Sequence, residues 1–126
     1  MANPKSRKVR RVLVVDDNMK AAKALATLLM ADGYEVMVAH DGDGALAGVH
    51  EFTPDAIVLD VDLPKKNGYE VARILRESLC PALIIALTGH YGREEDKLKA
   101  QEVGFDHYLT RPVLATEIEM LFRAKG

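Results

Sequence analysis

Short apolar runs that stop abruptly at polar residues alternate along this chain with stretches of helical period. The run at 12–15 ends in Asp16-Asp17, the run at 56–59 in Asp60, and the run at 83–87 in Thr88-Gly89. Unbroken runs of this length suit parallel strands buried on both faces, whereas strict alternation would mark a half-exposed strand. Two weaker runs, at 35–39 and 105–109, bring the predicted strands to five. Between them, residues 18–32 place Ala22, Leu25, Leu28 and Leu29 on one side of a helix that stops at Gly33. Asp41 is placed to cap a helix reaching Phe52, with Pro54 beyond its end. Asn67 and Glu70 form a capping-box pattern, Asn replacing the usual Ser or Thr, ahead of the inward-facing Val71, Ile74 and Leu75. Residues 93–103 predict a more polar helix whose Glu94, Glu95 and Asp96 complement its dipole. Residues 116–124 close the chain, with Ile118, Leu121 and Phe122 on the apolar side.

Strands that alternate with helices argue for an α/β domain, an open parallel sheet covered on both faces. Right-handed crossovers reduce its topologies to a few, and such sheets carry their sites beyond the carboxyl ends of the strands. The residues at those ends are Asp16, Asp17, Asp60 and Thr88, with Arg111-Pro112 after the last run. Taken singly, each is an ordinary cap or turn residue, and Asp16-Asp17 could do no more than cap the following helix. Taken together, they gather carboxylates, a hydroxyl and a guanidinium at one edge. Clustered carboxylates repel each other unless a cation intervenes, and hard oxygen ligands with open positions suit Mg²⁺. A carboxylate beside such an ion can attack phosphorus, while Thr88 and Arg111 can engage phosphoryl oxygens.

Composition sharpens this reading. With 126 residues, 48% hydrophobic and 29% charged, the chain has the size and make-up of one ordinary globular domain. Cys80 is the single cysteine, so no internal disulfide can form and a reducing compartment fits. No apolar run approaches the roughly 20 residues of a membrane span, and the N-terminus lacks a signal-peptide core, which predicts a cytoplasmic protein. The net charge of −2 conceals an asymmetry: Lys5, Arg7, Lys8, Arg10 and Arg11 leave 12 basic against 19 acidic residues elsewhere, or −7. Residues 1–8 read as a basic, flexible terminus and 9–126 as the folded domain; an acidic body of this kind argues against direct nucleic-acid binding. His40, His50 and His107 show no zinc spacing with Cys80.

Five segments, in order, carry a resemblance to the receiver domains of two-component response regulators. They are Val14-Val15-Asp16-Asp17-Asn18, Ile57-Val58-Leu59-Asp60-Val61-Asp62-Leu63-Pro64, Asn67-Gly68-Tyr69, Leu87-Thr88-Gly89 and Tyr108-Leu109-Thr110-Arg111-Pro112. The resemblance spans residues 9–124 and implies a flavodoxin-like three-layer sandwich, a five-stranded parallel sheet of order 2-1-3-4-5 with helices on both faces. It implies Asp60 as phosphoacceptor, with Mg²⁺ held by Asp17, Asp60 and the backbone carbonyl of Asp62, Asp16 acting through bound water. Thr88 and Tyr108 correspond to the switch pair that reports to the surface of the fourth helix, fifth strand and fifth helix. Arg111-Pro112 falls where a cis peptide is common. The implied protein is a cytoplasmic signalling phosphoacceptor rather than an enzyme, self-catalysing at most its own aspartyl phosphorylation and dephosphorylation. Its implied partners are a histidine kinase or histidine phosphotransfer protein and a downstream protein partner or output domain, in a single receiver or a larger regulator or hybrid kinase. No membrane partner is implied, and a homodimer is compatible with it.

The family pattern has Lys where this chain has Arg111, a longer planar cation that favours bidentate pairing. That change keeps the charge but puts the coupling to Thr88 and Tyr108 in question, with Arg111 expected to pair with Asp60 when no metal is bound. Asp62, two residues beyond the acceptor, could guide or repel the hydrolytic water, and His90 could border the same entrance. An alternative reading is a pseudo-receiver, the same fold used as a constitutive protein-interaction module. A haloacid-dehalogenase-type phosphatase fits poorly, since Asp60-Val61-Asp62 follows the third strand rather than the first. A flavin carrier fits poorly too, because Asp16-Asp17 would repel the flavin phosphate.

Overall fold

A computed structural model describes residues 8–89 and 94–125. The basic residues up to Arg7, as well as His90 and Arg93, lie outside the described residues. Ten elements alternate strictly: β1 (Arg11–Val15), α1 (Met19–Ala31), β2 (Glu35–Ala39), α2 (Gly42–Phe52), β3 (Ala56–Asp60), α3 (Gly68–Glu77), β4 (Leu83–Thr88), α4 (Glu94–Val103), β5 (His107–Thr110) and α5 (Ala115–Lys125). All strand pairings are parallel, and the order is β2-β1-β3-β4-β5. This is the flavodoxin-like arrangement the resemblance implied. No helix among the described residues is long and apolar enough to cross a membrane.

The strength of each apolar run follows its place in the sheet. β3 and β4 are buried at every position because helices cover both faces and strands flank both edges. The two weak runs are the edge strands β2 and β5, whose residues are mostly half-exposed. One face packs Leu13, Ile57, Leu59, Ile84 and Phe105 under α2, α3 and α4. The other packs Val12, Val14, Val58 and Ile85 under Ala22, Leu29, Ile118 and Phe122 of α1 and α5.

Three expectations need correction. In α1 the buried stripe is Ala22, Ala26 and Leu29, with Leu28 55% exposed, because at 100° per residue Leu28 turns onto the flank. In α3 Ile74 is only half-buried beside Val71 and Leu75. The last strand begins at His107 rather than Phe105, since Phe105 belongs to the end of α4. The Phe105 N–H donates to Ala100 O at 3.0 Å across Gly104 at φ 109°, a Schellman closure whose apolar residue drops into the core.

At the rim where the strands begin, two side chains tie separate elements together. The Asp55 carboxylate accepts from the Arg10 and Arg11 N–H groups at 2.9 and 3.0 Å, and the Asp55 carbonyl accepts from Leu83 N–H. Arg76, on α3, donates to the carbonyls of Cys80, Ala82 and Gly104 and pairs with Asp106 at 2.8 Å. Asp106 in turn accepts from Ile84 N–H at 2.8 Å. Beside this rim an apolar groove of about 600 Å³ runs between the ends of α2 and α3, lined by Val49, Ile74, Leu79 and Cys80.

α3 ends in the same closure as α4, but without glycine. Leu79 N–H donates to Arg76 O and Cys80 N–H to Leu75 O, with Leu79 at φ 62° and 87% exposed. A left-handed residue with a Cβ costs about 1–2 kcal/mol, and little packing of this exposed side chain offsets it. Leu79→Gly should therefore stabilise the domain by about 0.5–1 kcal/mol after the added flexibility of the unfolded chain is counted. The urea midpoint should rise with an unchanged slope; a lower midpoint would mean that Leu79 contributes to the fold through the groove it lines.

Candidate functional site

The carboxyl ends of β1, β3 and β4 lie side by side, so the residues that follow them converge. Asp16, Asp17 and Asp60 each offer a carboxylate oxygen, and the three oxygens lie within 4.8 Å of one another. Asp16 and Asp60 are buried, whereas Asp17 is exposed. Neither of the paired aspartates is the α1 cap: Asn18 is, its side chain accepting from Ala21 N–H at 3.0 Å. Asp16 Oδ1 accepts from Asn18 N–H at 2.9 Å, which fixes the carboxylate and aims Oδ2 away from α1. Among the described residues this is the single group of three or more side chains of metal-ligating type so gathered, and its all-oxygen donor set fits a hard divalent cation.

Asp60 is held from two sides. Its Oδ1 accepts from Asp62 N–H at 2.9 Å, and the chain then turns tightly into α3. At that turn Gly68 N–H donates to Val61 O at 3.1 Å, and a Cβ on Gly68 would stand 2.5 Å from the Asp60 carbonyl oxygen. Only glycine lets the start of α3 approach the end of β3 this closely. Lys66, in the same loop, pairs with Asp43 of α2 at 3.0 Å. Burial pushes the Asp60 carboxyl up to about 6 from its ordinary 3.8. The Asp62 amide opposes that shift, the Asp16 charge adds to it, and Arg111 opposes it more weakly.

Arg111 is where the structure departs from expectation. Its guanidinium reaches Asp16 Oδ2 at 2.6 Å and comes only to 3.7 Å from Asp60 Oδ2. Arg111 therefore makes the expected ion pair with Asp60, but a longer one than its hydrogen-bonded pair with Asp16, which the sequence reading did not foresee. The reach of the side chain explains the difference: β5 is an edge strand, and the long guanidinium passes over the nearer β3 end to β1. The Arg111–Pro112 peptide is cis, as the resemblance implied, and Arg111 N–H donates to Thr88 O at 2.8 Å. Thr88 is buried at the end of β4, and Tyr108 is half-buried against the core on the α3 and α4 side. Asp62 is exposed at the rim, so its carboxylate is not folded into the acidic group. The sequence reading weighed His40 only as a zinc ligand; its Nδ1 lies 3.2 Å from Asp16 O. His40 follows β2 as Asp16 follows β1, so the rule that sites lie beyond strand ends could have found it.

The profile of the response regulator receiver domain matches residues 12–123. The chain is 38% identical over 115 residues to the alkaline phosphatase synthesis transcriptional regulatory protein PhoP of Bacillus subtilis, covering 91% of this chain and 48% of that protein. It spans about half the length of the curated relatives it matches. Among solved structures, the chemotaxis protein CheY4 of Vibrio cholerae has a TM-score of 0.86 at 28% identity, covering 94% of this chain and 99% of that one. A response regulator protein of Burkholderia pseudomallei, solved with a phosphorylated aspartic acid, calcium ion and citrate, has a TM-score of 0.81 at 32% identity, covering 87% and 64%.

The raised Asp60 carboxyl has a thermodynamic consequence in the metal-free protein. The folded state holds this proton more tightly than the unfolded chain, so the associated stability is complete below 3.8 and is lost as pH rises through about 6. Asp60→Asn should accordingly be more stable than wild type at neutral pH, with the gap closing in acid. A carboxyl-detected NMR titration should place the Asp60 midpoint near 6, and Arg111→Ala should move it higher. An Asp60 midpoint near 3.8 would show that its burial carries no such penalty.

Proposed function

The chain belongs to the response regulator receiver domains, signalling modules rather than classical enzymes, and from that premise we propose that it takes a phosphoryl group onto Asp60 from a histidine kinase or histidine phosphotransfer protein. The observation that carries the proposal is the placement of Asp60: a buried carboxylate within the acidic group, with the Arg111 guanidinium 3.7 Å away and Thr88 at the end of the neighbouring strand. An Asp60 oxygen would attack phosphorus in line with the bond to the donor imidazole nitrogen. The new O–P bond forms as the P–N bond breaks, and the imidazole leaves with the bonding pair and takes up a proton. Asp17 and Asp60, with the Asp62 backbone carbonyl, would hold Mg²⁺, and Asp16 would act through a bound water. When bound, that ion would offset the charge building on the phosphoryl oxygens.

The chain's own residues do the positioning. The Asp62 N–H fixes Oδ1, so Oδ2 is the freer oxygen for attack. Arg111 stands 3.7 Å from it, close enough to draw in as a phosphoryl oxygen arrives. The Thr88 hydroxyl, at the neighbouring strand end, is the donor for a second phosphoryl oxygen. Signalling would then pass through Thr88 and Tyr108 to the face of α4, β5 and α5, toward a downstream protein partner or output domain. Because Arg111 is anchored to Asp16, this last link is where the Arg-for-Lys difference should tell. A guanidinium that stays on Asp16 keeps a positive charge beside Asp60 yet moves less than an ammonium would.

Incubation with Mg²⁺ and acetyl phosphate should add one labile phosphoryl group to the wild-type mass and none to Asp60→Ala. Absence of the adduct in wild type would instead favour the pseudo-receiver, a constitutive interaction module. Asp17→Ala should lose both Mg²⁺ binding and the adduct without losing thermal stability in the metal-free state, since Asn18 rather than Asp17 caps α1. Arg111→Lys should still accept phosphate and should enlarge the beryllofluoride-dependent NMR shifts around Tyr108. Equal shifts in wild type and Arg111→Lys would show that arginine is merely a tolerated substitute.

A further inference from the structure

Tyr69 is the second residue of α3, immediately after the glycine that lies against the Asp60 backbone. Its half-buried ring meets residues of α4, of the turn after it and of β5. The ring meets Phe105 edge-on, with centroids 6.0 Å apart and planes at 88°. The Lys99 ammonium of α4 sits 4.5 Å from the ring centroid, a cation–π distance. The Tyr69 hydroxyl interacts with that of Tyr108 on β5; together with burial, which is the larger cause, this raises the Tyr69 ionisation well above its usual range. The contacts with Lys99 and Phe105 seat the ring against α4 and the turn that follows it.

These contacts form a bridge that does not pass through Thr88. Gly68 has no slack: a single added carbon would overlap the Asp60 carbonyl, so movement of the β3–α3 loop is transmitted to the first turn of α3. That turn carries Tyr69, and Tyr69 holds Lys99, Phe105 and Tyr108 at once. We propose that Tyr69 is a positioning residue that couples the state of Asp60 to α4 and to the ring of Tyr108 through the β3–α3 junction, a route parallel to the one through Thr88. The inference rests on the phosphoacceptor reading of Asp60 and adds a second mechanical connection to it. Adjacency alone would not establish coupling; a shared, non-additive response would.

The test is a double-mutant cycle of Tyr69→Phe and Tyr108→Phe in the full chain, since both variants keep their rings and remove only hydroxyls. Acetyl phosphate adducts, followed by mass, should form in all four proteins at similar rates, because Tyr69 touches neither Asp60 nor its ligands. The beryllofluoride-dependent shifts of amides 94–125 should fall about twofold or more in Tyr69→Phe. Adding Tyr108→Phe should cause little further loss. A purely structural role would lower the melting temperature of Tyr69→Phe and leave the saturated shifts intact. An adduct with wild-type shifts in Tyr69→Phe, or strictly additive losses in the double variant, would overturn the coupling while leaving the phosphoacceptor reading in place. No adduct in wild type would overturn both.

Discussion

The site exists only because the repulsion among three gathered carboxylates is held in check. Parallel topology forces Asp16, Asp17 and Asp60 to one rim, and the depth of the sheet strips water from Asp16 and Asp60. Removing water from an anion is costly unless a partner replaces it, and leaving two such anions side by side is costlier still. The structure answers with unequal support. Asp16 receives a guanidinium and a backbone N–H, while Asp60 receives one backbone N–H and only a distant cation. The burden falls on Asp60, whose carboxyl burial pushes toward the neutral form. The least-compensated acid is also the one on which the proposed chemistry converges.

Much of this was legible in the sequence, for identifiable reasons. The central strands announced themselves because burial on both faces leaves no room for polar residues at 12–15, 56–59 or 83–87. Asp41 and Asn67 cap their helices as their sequence positions predict, and the rule that sites follow strand ends found every acid of the group. The failures share a different cause. Phe105 belongs to a helix closure rather than a strand, a distinction that depends on the backbone of Gly104 and not on hydropathy. The choice of Asp16 over Asp60 by Arg111 depends on side-chain reach across two strands, which no local pattern encodes. Tyr69 was visible as a motif residue, but its contacts with Lys99, Phe105 and Tyr108 arise only once α3 and α4 pack together.

Arg111 contributes more to the site than a single positive charge. A guanidinium offers several donors in a plane, so it can remain on one carboxylate while still facing another. Here the 2.6 Å and 3.7 Å distances belong to the same nitrogen, and Asp16 and Asp60 draw on a single donor unequally. The backbone N–H of the same residue is committed to the Thr88 carbonyl. Arg111 thus links the ends of β1, β4 and β5 through one residue, and whatever changes at Asp60 is felt against that fixed frame.

The opposite rim has a bearing on how the domain carries load. Asp55 and Arg76 cross-brace the places where β1, β3 and β4 begin and where β5 is entered, through bonds of 2.8–3.0 Å. From that base the strands run about 13–20 Å to the site, at roughly 3.3 Å per residue. A sheet clamped at one end and weighted at the other behaves as a set of cantilevers. A small force applied at the free tips bends the loops there, while the clamped end stays in register. The molecule can in this way yield where its acidic group lies without loosening where its architecture is secured.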